Sequence, residues 1–312
     1  MSDSSQKVIN RIKERMIIGT IYDQLLLRFK YNDAKTNSLY RIMVGQKHRM
    51  IFYRRLKSKY LERCIKNRSY ETLPKRCNCN TVWFMWLQGI DNAPEIVRKC
   101  LESQRNCLSE KNIVILDEKN VFEYITLPQY ILEKREAGII ADAHFSDLIR
   151  NELLIHYGGY WIDSTVYMTD NSLIKHIDDI PLFMFSYYYF GFNPEVMELN
   201  NWFIHSYTNN NIICLVQRML LEYWKDNDYA MNYFIYHIFE SIANDYYEQE
   251  YKEIPIVSQA PSHILATYIY DDFDKKKFDM LLMSTGIHKL STRFDMTKLK
   301  KKGNFYDVIV NR

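Results

Sequence analysis

The spacing of apolar positions changes character near residue 77. Before it, apolar residues recur about every four positions among basic ones. They are Ile12, Met16, Ile21, Leu25 and Phe29 in RIKERMIIGTIYDQLLLRFKY, then Phe52, Leu56, Tyr60 and Ile65 in RMIFYRRLKSKYLERCIK. That period predicts amphipathic helices. After it, short apolar runs alternate with helical segments. NTVWFMWLQG, ending at Gly89, predicts a buried strand, and APEIVRKCLESQRN a helix with Pro94 near its first turn. NIVILDEKN predicts a strand leaving on Asp117, and FEYITLPQYILEKREAG a broken helix. This β-α-β-α order, with polar residues at strand exits, predicts an α/β fold whose parallel sheet binds ligands at its carboxyl edge.

The stretch HFSDLIRNELLIHYGGYWIDSTV, residues 144–166, concentrates the candidate chemistry. Phe145, Leu148, Ile149 and Leu153 form an apolar helical stripe. Asp147 and Arg150 stand three apart, which by itself fits a helical ion pair worth about 0.2–0.5 kcal/mol. Gly158 and Gly159 end the helix, because glycine tolerates positive φ and lets another backbone pass close by. Tyr160 to Ile162 then predict a short strand that opens on Asp163. A carboxylate there suits a divalent cation shared with a diphosphate, and it also suits a turn cap beside Ser164 and Thr165.

Charge divides the chain further. The net charge of +3 hides about 19 Lys/Arg against about 6 Asp/Glu in residues 1–76, and about 22 against about 32 in the remainder. We therefore separate a basic helical N-terminal region, 1–76, from a domain at 77–312. The basic region suits either helices with a solvated face or attraction to an anionic membrane surface or a lipid diphosphate. It carries no recognisable nucleic-acid-binding motif, so nucleic acid is not an expected partner. No apolar run reaches the roughly 18–20 residues that span a bilayer, and the N-terminus lacks the apolar core of a secretory signal. A cytoplasmic or peripheral protein is expected. The six cysteines show no paired C-x-x-C spacing, which predicts free thiols.

SDLIR followed by YGGYWID resembles the S-D-x-x-R…G-G-x-x-x-D signature of glycosyltransferase family 32 and the capsular polysaccharide synthesis protein family. The sugar-transferring domain of the large clostridial toxins shares this pattern. WFMWLQG is similar to the first-strand W-x-x-G or W-x-Q-G block, NWFIHSY to a later N-x-F/I segment, and HKL to a C-terminal block. The likeness runs from about Val82 to Leu290. It implies a GT-A-type, Rossmann-like nucleotide-sugar-binding domain with a mixed, mainly parallel sheet, flanked by N-terminal and C-terminal helices. The implied activity is retaining transfer of galactose or glucose from a UDP-hexose to a lipid-diphosphate-linked saccharide or oligosaccharide acceptor. Its setting would be bacterial capsule synthesis at the inner face of the cell membrane. A non-catalytic assembly or binding subunit of the same fold and a protein-glycosylating transferase are the alternatives.

The resemblance also implies roles. Trp86 would stack on the uracil and Ser146 contact the uridine. Asp147 and Arg150 would hold donor-sugar hydroxyls, Asn201 would approach the donor, and Asp163 would touch the ribose and the metal region. The Asp163-Ser164-Thr165 segment departs from D-x-D and has the D-x-T form common in the capsular branch. Mn²⁺ or Mg²⁺ would then be held by Asp163, Thr165 and His288, with Lys289 facing the diphosphate. Asn201 also reads as a loop cap and His288 as a core or surface histidine. His205, His237 and His263 read as structural or exposed.

Overall fold

Two adjacent glycines bring the first and third strands of the sheet together. Gly158 and Gly159 hold φ of +64° and +86°, and a Cβ at Gly159 would meet the Thr81 carbonyl oxygen at 2.2 Å. Only a residue without a side chain allows that approach, so the helix can end and a parallel strand begin in two residues.

The computed structural model of the chain describes residues 17–30, 33–66, 77–187, 196–299 and 302–311. Ile12 and Met16 of the first apolar pattern lie outside them. Helix α1 spans Ile17–Phe29. Helix α2, Ala34–Leu56, starts at Asp33, whose carboxylate accepts the Lys35 and Thr36 N–H groups. It continues through a π-turn at Lys57–Leu61 into Glu62–Lys66. Phe52, Leu56, Tyr60 and Cys64, four apart, are buried in the core that also holds Trp83 and Trp161. Cys64 thus takes the inward place that the sequence pattern gave to Ile65. The first pattern differs more sharply, because Ile21, Leu25 and Phe29 face solvent.

Strand β1 is Thr81–Met85, helix α3 Glu95–Cys107 and strand β2 Asn112–Leu116. Helix α4, Asp142–Tyr157, leads into β3, Gly159–Ile162, and β4, Val166–Met168. Strands β5, Leu182–Ser186, and β6, Leu199–Ser206, precede helices α5, Asn211–Asp226, and α6, Ile235–Tyr246. Strand β7 is Ile287–Lys289. The main sheet has the order β2-β1-β3-β6-β5, with β6 reversed against both neighbours. Four strands therefore run one way, giving the mixed, mainly parallel α/β sheet expected of a GT-A-type domain.

Side-chain alternation along β1 divides the interior. Trp83 and Met85 join the core built with α4, α5 and α6, whereas Phe84 joins the core under α3. Beside the sheet, β4 and β7 pair antiparallel, with Val166 opposite Lys289 and Tyr167 opposite His288. Asp117, the other acidic strand exit, accepts N–H groups of its own turn at Lys119 and Asn120. Among the described residues no helix is long and apolar enough to cross a membrane.

Candidate active site

Helix α4 runs through the interior, so a pair that could have sat on a helix surface is enclosed: Asp147 is 7% and Arg150 4% exposed. The Arg150 guanidinium donates to Asp147 Oδ1 at 2.7 Å and reaches Asp163 Oδ1 at 3.4 Å. It lies 4.8 Å from the Trp161 ring centroid and 5.8 Å from that of Tyr236. Two carboxylates and two aromatic rings therefore fix the plane of one guanidinium. Burial of an ion requires this kind of compensation. Asn201, on β6, donates its side-chain N–H to Asp147 Oδ1 at 2.9 Å.

Asp163 sits where β3 gives way to the turn toward β4. Its backbone N–H donates to the Trp202 carbonyl, and its own carbonyl accepts Val166 N–H. Trp161, two residues earlier and so on the same strand face, donates its indole N–H to Asp163 Oδ1 at 2.9 Å. Lys289 donates to Asp163 Oδ2 at 2.6 Å and to Thr165 Oγ1 at 2.8 Å. Burial pushes the Asp163 carboxyl up. The charges of Lys289 and Arg150, with the Lys289 and Trp161 donors, outweigh it and hold the group below the ordinary carboxylate range.

These groups border a cavity of about 240 Å³ lined by Ser146, Asp147, Arg150, Asp163, Asn201 and His237, among others. Its wall alternates anionic, cationic and amide groups, a surface suited to a ligand with many hydroxyls. The structure thus brings Ser146, Asp147, Arg150, Asp163 and Asn201 to one cavity, with Lys289 and Thr165 attached through Asp163. Trp86 stands apart. It follows Met85, which lines the cavity, and packs instead with the cluster containing Phe84 on the other side of β1, its buried indole N–H unpartnered.

His288 does not join Asp163 and Thr165. Neighbouring residues of a strand point to opposite faces, so with Lys289 directed at Asp163, His288 turns toward Thr169, 3.4 Å from its hydroxyl. It is fully buried, and burial pushes its imidazole down to about 4 against the opposing pull of Asp170. Both Asp163 oxygens and the Thr165 hydroxyl already engage other donors. Among the described residues, no group of three or more His, Cys, Asp or Glu is placed to hold a metal ion. His288 therefore does not complete a ligand set with Asp163 and Thr165, which the Lys289 ammonium bridges.

Sequence reasoning overlooked Trp161, Tyr236 and His237 as site residues. The i, i+2 relation of Trp161 to Asp163 on one strand was a usable signal. Tyr236 and His237 reach the site only through the packing of α6 on α5 and β6, which no local pattern announces.

Residues 33–309 match the protein family described as "Capsular polysaccharide synthesis protein". The match starts within the basic region, at the beginning of α2. No curated protein matches the chain. A solved structure described as "PaToxG Glycosyltransferase" is similar with a TM-score of 0.39 and 11% identity, over 86% of this chain and 96% of that one.

Proposed function

The chain belongs to the capsular polysaccharide synthesis protein family, and on that premise we propose that it is a glycosyltransferase moving a hexose, galactose or glucose, from a UDP-sugar to an acceptor hydroxyl. The observation that carries this reading is the convergence of Asp147, Arg150, Asp163 and Asn201 on one cavity, with Lys289 held against Asp163. Asp147, Arg150 and Asn201 would hold the hexose through its hydroxyls, and Ser146 would contact the uridine. Trp86, packed with the Phe84 cluster on the other side of β1, is assigned no contact with the donor.

In the reaction the bond from the anomeric carbon to the β-phosphate oxygen breaks, and a bond to the acceptor oxygen forms on the same face. Configuration is then retained. The acceptor's proton passes to the departing phosphate oxygen, so no separate protein base is needed. Negative charge grows on the leaving diphosphate, and the Lys289 ammonium can turn from Asp163 and Thr165 to meet it. A cation that meets the charge as it develops lowers the barrier more than one that binds the ground state equally well. Asp163, paired with Arg150 and Trp161, would stay ionised and face the electron-poor sugar.

The acceptor we propose is a saccharide linked to a lipid diphosphate, met at the inner face of the cell membrane. The basic helices of the N-terminal region support that setting, since they would be drawn to an anionic surface.

The test is UDP release by purified protein across a panel of UDP-sugars, beside an Asp163→Asn control. Release from one donor that collapses in the control supports the reading. If no donor is turned over and calorimetry detects no binding, the reading fails and a non-catalytic assembly subunit takes its place.

A further inference from the structure

Helix α1 is turned inside out relative to an ordinary amphipathic helix. Its inward residues are Thr20, Asp23 and Leu27, the aspartate only 2% exposed. Asp23 accepts Lys47 Nζ at 2.8 and 2.7 Å and the Tyr40 hydroxyl at 3.1 Å, which pins α1 to α2. The opposite stripe, four residues apart, is apolar and open: Ile21 is 55%, Leu25 50% and Phe29 71% exposed. The first half of α2 repeats this, with Leu39 64%, Ile42 65% and Met43 67% exposed at i, i+3 and i+4. On α2, packing against the core begins near Met50, and the first buried residue is Phe52.

A helix of 13 residues is marginal alone in water, and tertiary packing of its apolar face normally supports it. Here the apolar face is left half or more exposed among the described residues. Its surroundings are cationic: Arg28, Lys35 and Arg41 are exposed on the same two helices, and Lys30 just after the first. Apolar side chains flanked by cations match the boundary between acyl chains and anionic headgroups. They fit a second protein surface less well, because that would have to supply both an apolar groove and acidic groups.

We infer that the α1–α2 hairpin is a membrane-docking surface, inserting Ile21, Leu25, Phe29, Leu39, Ile42 and Met43 into the headgroup–acyl boundary of an anionic bilayer. This deepens the membrane setting proposed above, and vesicle binding reads it separately from sugar transfer. It goes beyond electrostatic attraction, since burial of apolar side chains survives salt that screens surface charge.

The experiment is co-sedimentation of the full chain with vesicles of phosphatidylcholine, alone or mixed with phosphatidylglycerol, in low and high salt. The variants are Leu25→Gln/Phe29→Gln and Leu39→Gln/Met43→Gln, combined and separately. All these positions are exposed, and unchanged thermal unfolding checks that the variants fold. We expect wild type to bind the anionic vesicles and to keep part of that binding in high salt. The combined variant should bind roughly a hundredfold more weakly. Binding equal in wild type and variant, or wholly released by salt, would overturn the inference. So would a wild-type dimer that the variant splits, with no vesicle binding by either. Vesicle binding without UDP-sugar turnover would leave the docking surface standing and remove only the transferase reading.

Discussion

Lys289 donates to Asp163 across 2.6 Å, tying a strand near the chain's end to the exit of β3. The same ammonium reaches Thr165 at 2.8 Å, where a D-x-D segment would carry its second carboxylate. The site therefore holds a cation supplied by the protein at the place where the sequence suggested a metal.

Replacing that cation should separate binding from turnover. Lys289→Met should lower the rate of UDP release by roughly 10²–10³, the usual effect of removing one group aimed at developing charge. Donor affinity by calorimetry should fall far less. His288→Gln, on the opposite face of β7, should leave both nearly unchanged. Equal losses in the two variants would show that Lys289 has no special place at the leaving group.

Arg150 is the hub of the buried charges, touching Asp147 and Asp163 and lying over Trp161. Arg150→Met should strand the Asp147 carboxylate in the interior and cost about 3–5 kcal/mol in urea unfolding. Arg150→Lys should keep more stability but still lose activity, because a point charge cannot satisfy both carboxylates as a planar fork does. A destabilisation below about 1 kcal/mol for the Met variant would mean that water reaches Asp147 freely.

The elements that carry this site were legible where a local rule was strong. The Gly158-Gly159 pair, the apolar run of β1 and the stripe Phe145, Leu148, Ile149, Leu153 each predicted what the structure shows. Asp163 at a strand exit was legible for the same reason. Three features were not. The direction of His288 depends on the pairing of β4 with β7, and the side turned inward by Trp86 depends on the register of β1; neither follows from residue type. The apolar residues of α1 keep their period but face outward, because a period gives the existence of a stripe and not its partner. The buried side of α1 is set by the single carboxylate of Asp23 and its cationic neighbours.

The two kinds of positive-φ glycine should respond differently to alanine. Gly138 has φ +70° and open space around a would-be Cβ, whereas Gly159 would place that Cβ 2.2 Å from the Thr81 carbonyl. Gly138→Ala should cost about 1–2 kcal/mol, the price of the left-handed conformation alone. Gly159→Ala should exceed that clearly, at about 3 kcal/mol or more, because β1 and β3 must move apart. Since β3 delivers Asp163, its UDP release should also collapse. Similar costs for the two would show that the strands yield easily.

Acid stability should be governed by buried histidines before the carboxylates of the site matter. Burial pushes His205, His237 and His288 each down to about 4, so all three are neutral in the folded protein at pH 7. Unfolded, each would titrate near its ordinary value of about 6.5. Between those values the unfolded chain binds more protons, so stability should fall as pH drops below about 6.5 and level off near 4. Glu240 works the other way. Burial raises its carboxyl well above the usual range, so the folded state holds a proton there and gains from acid. These three histidines, with His263, which burial also lowers, outweigh one glutamate and leave a net loss from pH 7 to pH 5. Asp163 contributes little in that window: its depressed carboxyl keeps its stabilising charge until pH falls through the ordinary carboxylate range and below. Urea unfolding at pH 7 and pH 5 measures the slope, and His288→Gln should reduce it by up to about one proton. An unchanged slope in that variant would mean that His288 takes up its proton in the folded state, which its enclosure beside Thr169 forbids.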